Sequence, residues 1–394
     1  MNWDDLIIDA AATDTGMRRS NNQDSFIIVR ASTPESWRQR GHLFMVADGM
    51  GAHAVGELAS KMACDNIPHT YNKAKNSSAS EAITKAYQNV SAQIHGRAAA
   101  NRDFQGMGTT SSALILIPEG ALIAHVGDSR VYRMRGGRID QLSFDHSLVW
   151  ELVRRNHLTP EQAQKAVPKN VITRSLGPDP NVEVDLEGPF AVEPGDVFLL
   201  CSDGLSGPVS DLELGAFSSN FHPEDACRYV LHLANLRGGY DNITVLIVRV
   251  GPWVDPNAAA DTPEPVPVGA RAGHRGEERK RAKSGRLASF ISGLNRRPPA
   301  PTVVEDHPYR SAECRIEEPL IESLTTLVRG AQASAIEHAW PLDWAMLANL
   351  RREGEEARTA GDLRASLRCL GEAIVLLGLA GRLHRKANGT ADHL

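Results

Sequence analysis

An α+β fold, with antiparallel sheets covered by helices and a helical segment after them, is what this 394-residue sequence predicts. Three observations lead there. Short β-rich apolar runs recur through residues 1–251, separated in places by turns of only a few residues. Segments of helical periodicity stand between groups of these runs. Beyond a proline-rich stretch, apolar residues return at helical spacing.

In chain order, Ser25 to Val29 and His42 to Ala47 read as strands, the second closing on Asp48. Helices are expected over about Val55 to Ile67 and Ser80 to Ala100, the latter opened by the capping pattern Ser78-Ala79-Ser80-Glu81. Ser111 to Ile117 and Ala121 to Val126 flank the turn Pro118-Glu119-Gly120. Val131 to Arg135 leads into a second tight turn at Gly136-Gly137. Connections this short favour hairpins over βαβ crossovers. Leu148 to Arg155 and Pro160 to Lys165 are short helices, and Asp196 to Cys201 is a strand. Pro223 to Asn235 is a helix, and Ile243 to Val250 is the closing strand.

Residues 252–311 change character and read as a linker, with nine prolines between 252 and 310 and no amphipathic period. Its stretch from Arg271 to Arg297 carries nine basic side chains against Glu277 and Glu278. A solvated linker is the plain reading; a peripheral contact with an anionic membrane, with nucleic acid or with an acidic partner is the other. Residues 312–394 are expected to be helical. Leu320, Ile321, Leu324, Leu327 and Val328 form one stripe, and Leu363, Leu367, Leu370, Ile374 and Leu377 another, with a helix from Trp344 to Arg358 between them. Gly354, Gly361, Leu370 and Ala373 weakly resemble one tetratricopeptide repeat, although Ser366 stands where that pattern has alanine. A lone repeat cannot bury its own face. The segment therefore either self-associates or docks a protein, or it caps the first domain.

Composition narrows the class. Hydrophobic content of 42% and charged content of 23% are those of a soluble globular protein. The net charge of −5 gives no global reason to expect nucleic acid. No apolar stretch reaches the roughly 18 residues of a membrane span, and Met1-Asn2-Trp3-Asp4-Asp5 lacks the basic and apolar regions of a signal peptide. Five scattered cysteines without metal spacing suit a reducing cytoplasm.

Four aspartates sit at the ends of the apolar runs. Asp48, Asp128 and Asp203 each follow one, and Asp241 precedes one. Strand ends bring carboxylates to the rim of a sheet. Four converging there repel by roughly 4 kcal/mol per pair at about 4 Å in an effective dielectric near 20. A multivalent cation removes that penalty, and oxygen-only donors suit Mg²⁺ or Mn²⁺. A metal-dependent hydrolase is the expectation.

The surrounding residues sharpen it. Thr15-Gly16-Met17-Arg18-Arg19-Ser20-Asn21-Asn22-Gln23-Asp24, Ala47-Asp48-Gly49-Met50-Gly51, Met107-Gly108-Thr109-Thr110 and Gly127-Asp128-Ser129-Arg130 occur in that order. Asp145-His146-Ser147, Thr173-Arg174-Ser175-Leu176-Gly177, Ser202-Asp203-Gly204-Leu205 and Asp241-Asn242-Ile243-Thr244 follow. Across residues 8–250 this series resembles the protein phosphatase 2C family of metal-dependent serine/threonine phosphatases, in its bacterial form. The resemblance implies a four-layer α-β-β-α sandwich, with residues 144–185 as a variable flap. It implies hydrolysis of phosphoserine and phosphothreonine on proteins by a metal-bridging water, in opposition to a bacterial serine/threonine kinase.

On that resemblance Asp48 bridges two cations and Gly49 offers its carbonyl to the second. Asp203 and Asp241 hold the first, and Asp128 with Asp203 forms a third, weaker position. Asp24 stands behind the ligands or holds Arg19. Arg19 binds the phosphate, its planar fork suiting bidentate contact; Arg18 alternates to the other face. Gln23 replaces a glutamate that many members use to reach the second metal through water. Met50 occupies the place of a histidine general acid of eukaryotic members, which leaves leaving-group protonation to water at the metals. His53 and His146 read as turn residues and His125 as a core histidine. The rival function is a catalytically weak phosphoprotein-binding scaffold that works through its helical tail.

Overall fold

The computed structural model describes residues 6–51, 55–154, 171–253 and 308–387. Its strands form two antiparallel sheets. One contains β1 (Ile7–Asp14), β7 (Arg130–Arg135), β8 (Arg138–Gln141), β10 (Val197–Cys201), β11 (Ile243–Val250) and β12 (Arg310–Glu313), in the order β1-β11-β10-β7-β8-β12. The other runs β2 (Asp24–Val29), β3 (His42–Met50), β5 (Ser111–Ile117), β6 (Gly120–Val126) and β9 (Asp185–Phe190). The two-residue β4 (Gly108–Thr109) pairs with the end of β3.

The central strands are apolar on both faces because both faces are covered. Alternate residues of β3 divide between two cores. Phe44 and Val46 point inward with Leu114 to meet Phe198, Leu200 and Leu246 of the opposite sheet. Met45 and Ala47 point outward to α2 (Val55–Lys73) and α3 (Ala79–Ala100), where Ala59, Ala63, Tyr87 and Ile94 wait. Each of the larger side chains, such as Phe44, Val46, Met45 and Ile94, contributes about 1.5–3 kcal/mol on full burial. Ser78 caps α3 through the expected box: its hydroxyl accepts from the Glu81 amide, and Glu81 accepts from the Ser78 amide at 2.9 Å. The short helices α1 (Pro34–Arg40), α4 (Leu148–Arg154) and α5 (Asp203–Ser206) lie in the connections.

Outside the first sheet lie α6 (Asp211–Asn220) and α7 (Pro223–Leu236), completing a four-layer α-β-β-α sandwich. Here the tail lies as a cap on the first domain, one of the two readings its sequence left open. Its helices α8 (Glu318–Glu337), α9 (Trp344–Thr359) and α10 (Leu363–Ala387) pack on one another and, through α10, on α7. Leu320, Ile321, Leu367, Ile374 and Leu377 share one core with Phe217, Tyr229 and Leu233. Two glycines let α10 lie directly on α7. A Cβ on Gly371 would sit 2.8 Å from the Tyr229 ring, and one on Gly378 would sit 2.7 Å from His232. The apolar stripes that read as a separate segment are the outer wall of the first domain's core.

Two differences from expectation have local causes. The linker was expected to run to residue 311, but Arg310–Glu313 extends the sheet edge along β8, with the Tyr309 amide donating to the Gln141 carbonyl at 2.9 Å. Four residues flanked by a polar stretch carry no alternation long enough to read. Strand β1 was not expected either, because its helix-facing positions are Ala10 and Ala12 rather than β-branched residues. Eight-residue pairing with β11, from Ile7 opposite Val250 to Asp14 opposite Ile243, outweighs that weak propensity. The expected helix at Pro160–Lys165, His53 and the basic run at 271–297 lie outside the described residues. Among the described residues no helix is long and apolar enough to cross a membrane.

Candidate active site

The β1–β11 register ends beside the chain's chemistry: it delivers the loop from Asp14 to Arg19 against Asp241. Gly16, with φ of +78°, permits the approach, since a Cβ there would fall 2.1 Å from the Asp241 carbonyl oxygen. The Met17 and Arg18 amides both donate to the Gly239 carbonyl, at 2.7 and 3.1 Å. The two arginines then part. Arg18 stacks over Tyr240, 5.7 Å from the ring centroid. Arg19 turns inward and its Nη2 pairs with Asp241 at 2.8 Å. That contact, first among its causes, raises the guanidinium pKa further above its ordinary value.

Asp24 and Asp48 are directly opposed on β2 and β3. Asp24 is buried, and Ser202 donates to its Oδ2 at 2.7 Å. Burial pushes its carboxyl up to about 7 against the Ser202 and Thr244 hydrogen bonds, with Asp203 and Asp241 adding to the rise. Asp48 is raised well above the carboxylate range by desolvation and then by Asp24, Asp203 and Asp128. Asp128 is pushed up to about 8 by burial, then by Asp203 and Asp145. Asp203 is raised by burial and by Asp241, against a hydrogen bond with Asp48. The sequence reading offered Asp24 as a partner for Arg19; the structure gives Arg19 to Asp241 instead.

The backbone around Asp48 is held on several sides. Its amide donates to Thr110 Oγ1 at 2.9 Å, and its carbonyl accepts from the Thr110 amide and the Thr109 hydroxyl at 2.8 and 2.9 Å. Gly49 donates to the Gln23 carbonyl, and a Cβ on it would fall 2.0 Å from the Gly56 carbonyl oxygen. No other residue fits. Asn242, quoted in its motif but given no role, ties the loops together. Its amide nitrogen donates to the Thr15 and Asn21 carbonyls at 2.9 Å each, and its oxygen accepts from the Gln23 amide at 2.8 Å.

A divalent cation fits this set by charge and donor type. Five carboxylates and a glycine carbonyl are hard oxygen donors. Asp24 Oδ1 and Asp203 Oδ1 are sealed from water without a hydrogen-bond partner among the described residues. Burial first, and then neighbouring carboxylates, raises the pKa of Asp24, Asp48, Asp128 and Asp203, an electrostatic cost that a cation cancels. Among the described residues the side chains are not already drawn into a closed coordination shell. The fit therefore rests on charge and chemistry rather than on ligand distances.

A cleft of about 620 Å³ opens from Asp128, Asp203 and Asp241 past Trp150 of α4, Tyr240 and Arg310. Arg310 was not foreseen at the site. It comes from β12, beyond the linker, lies 5.9 Å from the Trp150 ring centroid, and pairs with Asp211 at 2.9 Å. His125 and His146 stand apart from this chemistry. His125 is buried between Ser112 and the Phe144 carbonyl. His146 braces the turn at Gly127, accepting from its amide at 2.9 Å, and contacts Asp185 at 2.9 Å.

Residues 17–234 match the family described as protein phosphatase 2C. The chain belongs to the protein phosphatase 2C family. Protein phosphatase PhpP of Streptococcus pneumoniae is 35% identical over 243 residues, covering 60% of this chain and 95% of that protein. The S. agalactiae serine/threonine phosphatase superposes with a TM-score of 0.56 at 35% identity, over 62% of this chain and 99% of that one. The catalytic domain of PstP, solved with two manganese ions, does so with a TM-score of 0.53 at 31% identity, over 63% of this chain and 99% of that one. The phosphatase is thus a metal-dependent serine/threonine protein phosphatase of bacterial type. The alternative of a catalytically weak scaffold is not favoured.

Proposed function

We propose that this phosphatase hydrolyses phosphoserine and phosphothreonine on proteins at the carboxylate cluster, with Asp48, the Gly49 carbonyl, Asp203 and Asp241 holding a pair of Mn²⁺ or Mg²⁺ ions. Asp128, with Asp203, serves a third position. Asp24 supports Asp48 from the neighbouring strand, and Gln23 reaches the second ion through water. When bound, the ions supply an activated water and positive charge for the phosphoryl oxygens. The Arg19–Asp241 pair carries the reading, because it sets a guanidinium suited to phosphate against a carboxylate suited to metal. With cations held by Asp241 and its neighbours, the fork of Arg19 would be available to contact two phosphoryl oxygens. Charge then accumulating on the phosphoryl group meets a fixed positive partner.

The cleft walls formed by Trp150, Tyr240 and Arg310 have room for the peptide around the phosphorylated residue. A kinase that writes those phosphates is the implied counterpart. A cytoplasmic setting accords with five cysteines that are all free thiols. Docking or self-association through the helical tail would use its outer face, since its inner face is spent on α7.

The test is hydrolysis of a phosphothreonine peptide with and without Mn²⁺. Asp48→Ala should lower kcat/KM by about 10³ or more, a loss of roughly 4 kcal/mol of transition-state stabilisation. Full activity in chelator, or in Asp48→Ala, overturns the assignment.

A further inference from the structure

The C-terminal helix does more than complete a core layer. Its last two turns reach the loop that carries Arg19. Arg382 pairs with Asp14, whose Oδ1 in turn accepts from the Gly16 amide at 2.7 Å. Arg385 Nη1 donates to the Met17 carbonyl at 2.9 Å. The same loop is pinned from the other side by the Gly239 carbonyl, through the Met17 and Arg18 amides. Both arginines come from the part of the chain beyond the family match at 17–234. PhpP is matched over 95% of its own length by 60% of this chain, so the tail is an addition to what the two proteins share.

We propose that α10 is a built-in clamp on the phosphate-binding loop, with Arg382 and Arg385 as positioning residues that set how Arg19 is presented to substrate. The chemistry is direct. Asp14 is buried, and Arg382 is its charge partner; without it the carboxylate would face Gly16 in a poorly solvated place and the turn would loosen. Arg385 holds the carbonyl of a residue two positions from Arg19, so its loss frees the segment without touching the carboxylate cluster. The rigid support on which the clamp stands is the glycine-mediated contact of α10 with Tyr229 and His232 of α7. Tyr229 also donates to Glu372 of α10 at 2.6 Å. Anything that lifts α10 from α7 would therefore weaken phosphate capture while leaving the carboxylates in place.

The inference rests on Arg19 being the phosphate ligand, and the experiment separates the two claims. Full-length Arg19→Ala, Arg382→Ala, Arg382→Lys, Arg385→Ala and the double variant Arg19→Ala/Arg385→Ala are compared at saturating Mn²⁺ on one phosphothreonine peptide. Arg385→Ala and Arg382→Ala should raise KM by about three- to ten-fold, with kcat and the half-saturating Mn²⁺ concentration within about two-fold of the parent. Arg382→Lys, which keeps the charge on Asp14, should recover most of the loss. In the Arg19→Ala background, Arg385→Ala should add nothing, because the group it positions is gone. A merely structural role would instead lower Tm and kcat in both backgrounds. If Arg382→Ala does not fold, Arg385→Ala alone decides. A raised KM in Arg19→Ala beside unchanged KM in the tail variants overturns the clamp alone; an unchanged KM in Arg19→Ala overturns both readings.

Discussion

Asp24 and Asp48 face each other across β2 and β3, two carboxyls in direct cross-strand register. Like charges so placed destabilise a sheet. Here burial and the neighbouring acids aggravate the repulsion, raising both pKa values. The first prediction follows from that conflict. Asp48→Asn should make the metal-free protein more stable by about 1–2 kcal/mol, read as a higher Tm in chelator, while hydrolysis is lost. The Tm increase that Mn²⁺ gives the parent should shrink or vanish. An undiminished Mn²⁺ response would mean that Asp48 does not hold the ions.

How legible all this was in the sequence depended on pattern length. Strands buried on both faces, such as Ser111–Ile117, announced themselves as apolar runs, and Asp48, Asp128 and Asp203 at their ends could be read together. Asp14 could not, because the strand that carries it is built on alanines and only its pairing with β11 makes it a strand. Arg310 and the tail arginines were hidden for a different reason. Each acts across more than 150 residues of sequence, through contacts with Trp150, Asp14 and Met17 that no local spacing encodes. The tail stripes were read correctly as buried faces, but a stripe does not say which surface covers it.

Gln23 gives the second prediction. Its main chain is fixed by Asn242, Gly49 and Ser60, so a change confined to its side-chain head should leave the fold intact. Gln23→Glu places a negative charge where the resemblance to the family expects a glutamate. The Mn²⁺ concentration for half-maximal activity should fall by about three-fold or more, with kcat at saturating metal little changed. A titration of activity against free Mn²⁺ reads this directly, and an unmoved midpoint removes Gln23 from the metal's surroundings.

A third prediction concerns acid. His125 is fully buried, with Nε2 2.8 Å from the Phe144 carbonyl, so that nitrogen carries the proton of the neutral ring. Burial, and then His146, bring its pKa down to about 3. An unfolded imidazole titrates near 6.5, so between about pH 6.5 and 3 the unfolded chain binds a proton that the folded chain refuses. This residue's contribution to stability is complete above that window and drains away as the pH falls through it, by up to about 1.4 kcal/mol per pH unit. Ring chemical shifts should show His125 neutral at pH 5 while exposed histidines are charged. A midpoint above pH 5.5 for His125 would contradict the burial argument.

Asn242 offers the most economical test of how the loops assemble. Its amide nitrogen donates to two carbonyls, Thr15 and Asn21, that bracket the Arg19 segment, and its oxygen receives the Gln23 amide next to Asp24. Asn242→Asp changes one group of atoms and almost no volume. It replaces the donor with an acceptor facing two carbonyl oxygens, and it adds a negative charge beside Asp241. Losing two part-buried hydrogen bonds should cost about 1–3 kcal/mol, seen as a lower urea midpoint with an unchanged slope. Because the loosened segment carries Arg19, KM for a phosphothreonine peptide should rise as well, even at temperatures where the variant is fully folded. Asn242→Ser, which keeps a hydroxyl donor without the charge, should fall between the two. If Asn242→Asp loses stability but keeps its KM, the loop holds Arg19 in place without Asn242, and the grip comes from Gly239 and the tail instead.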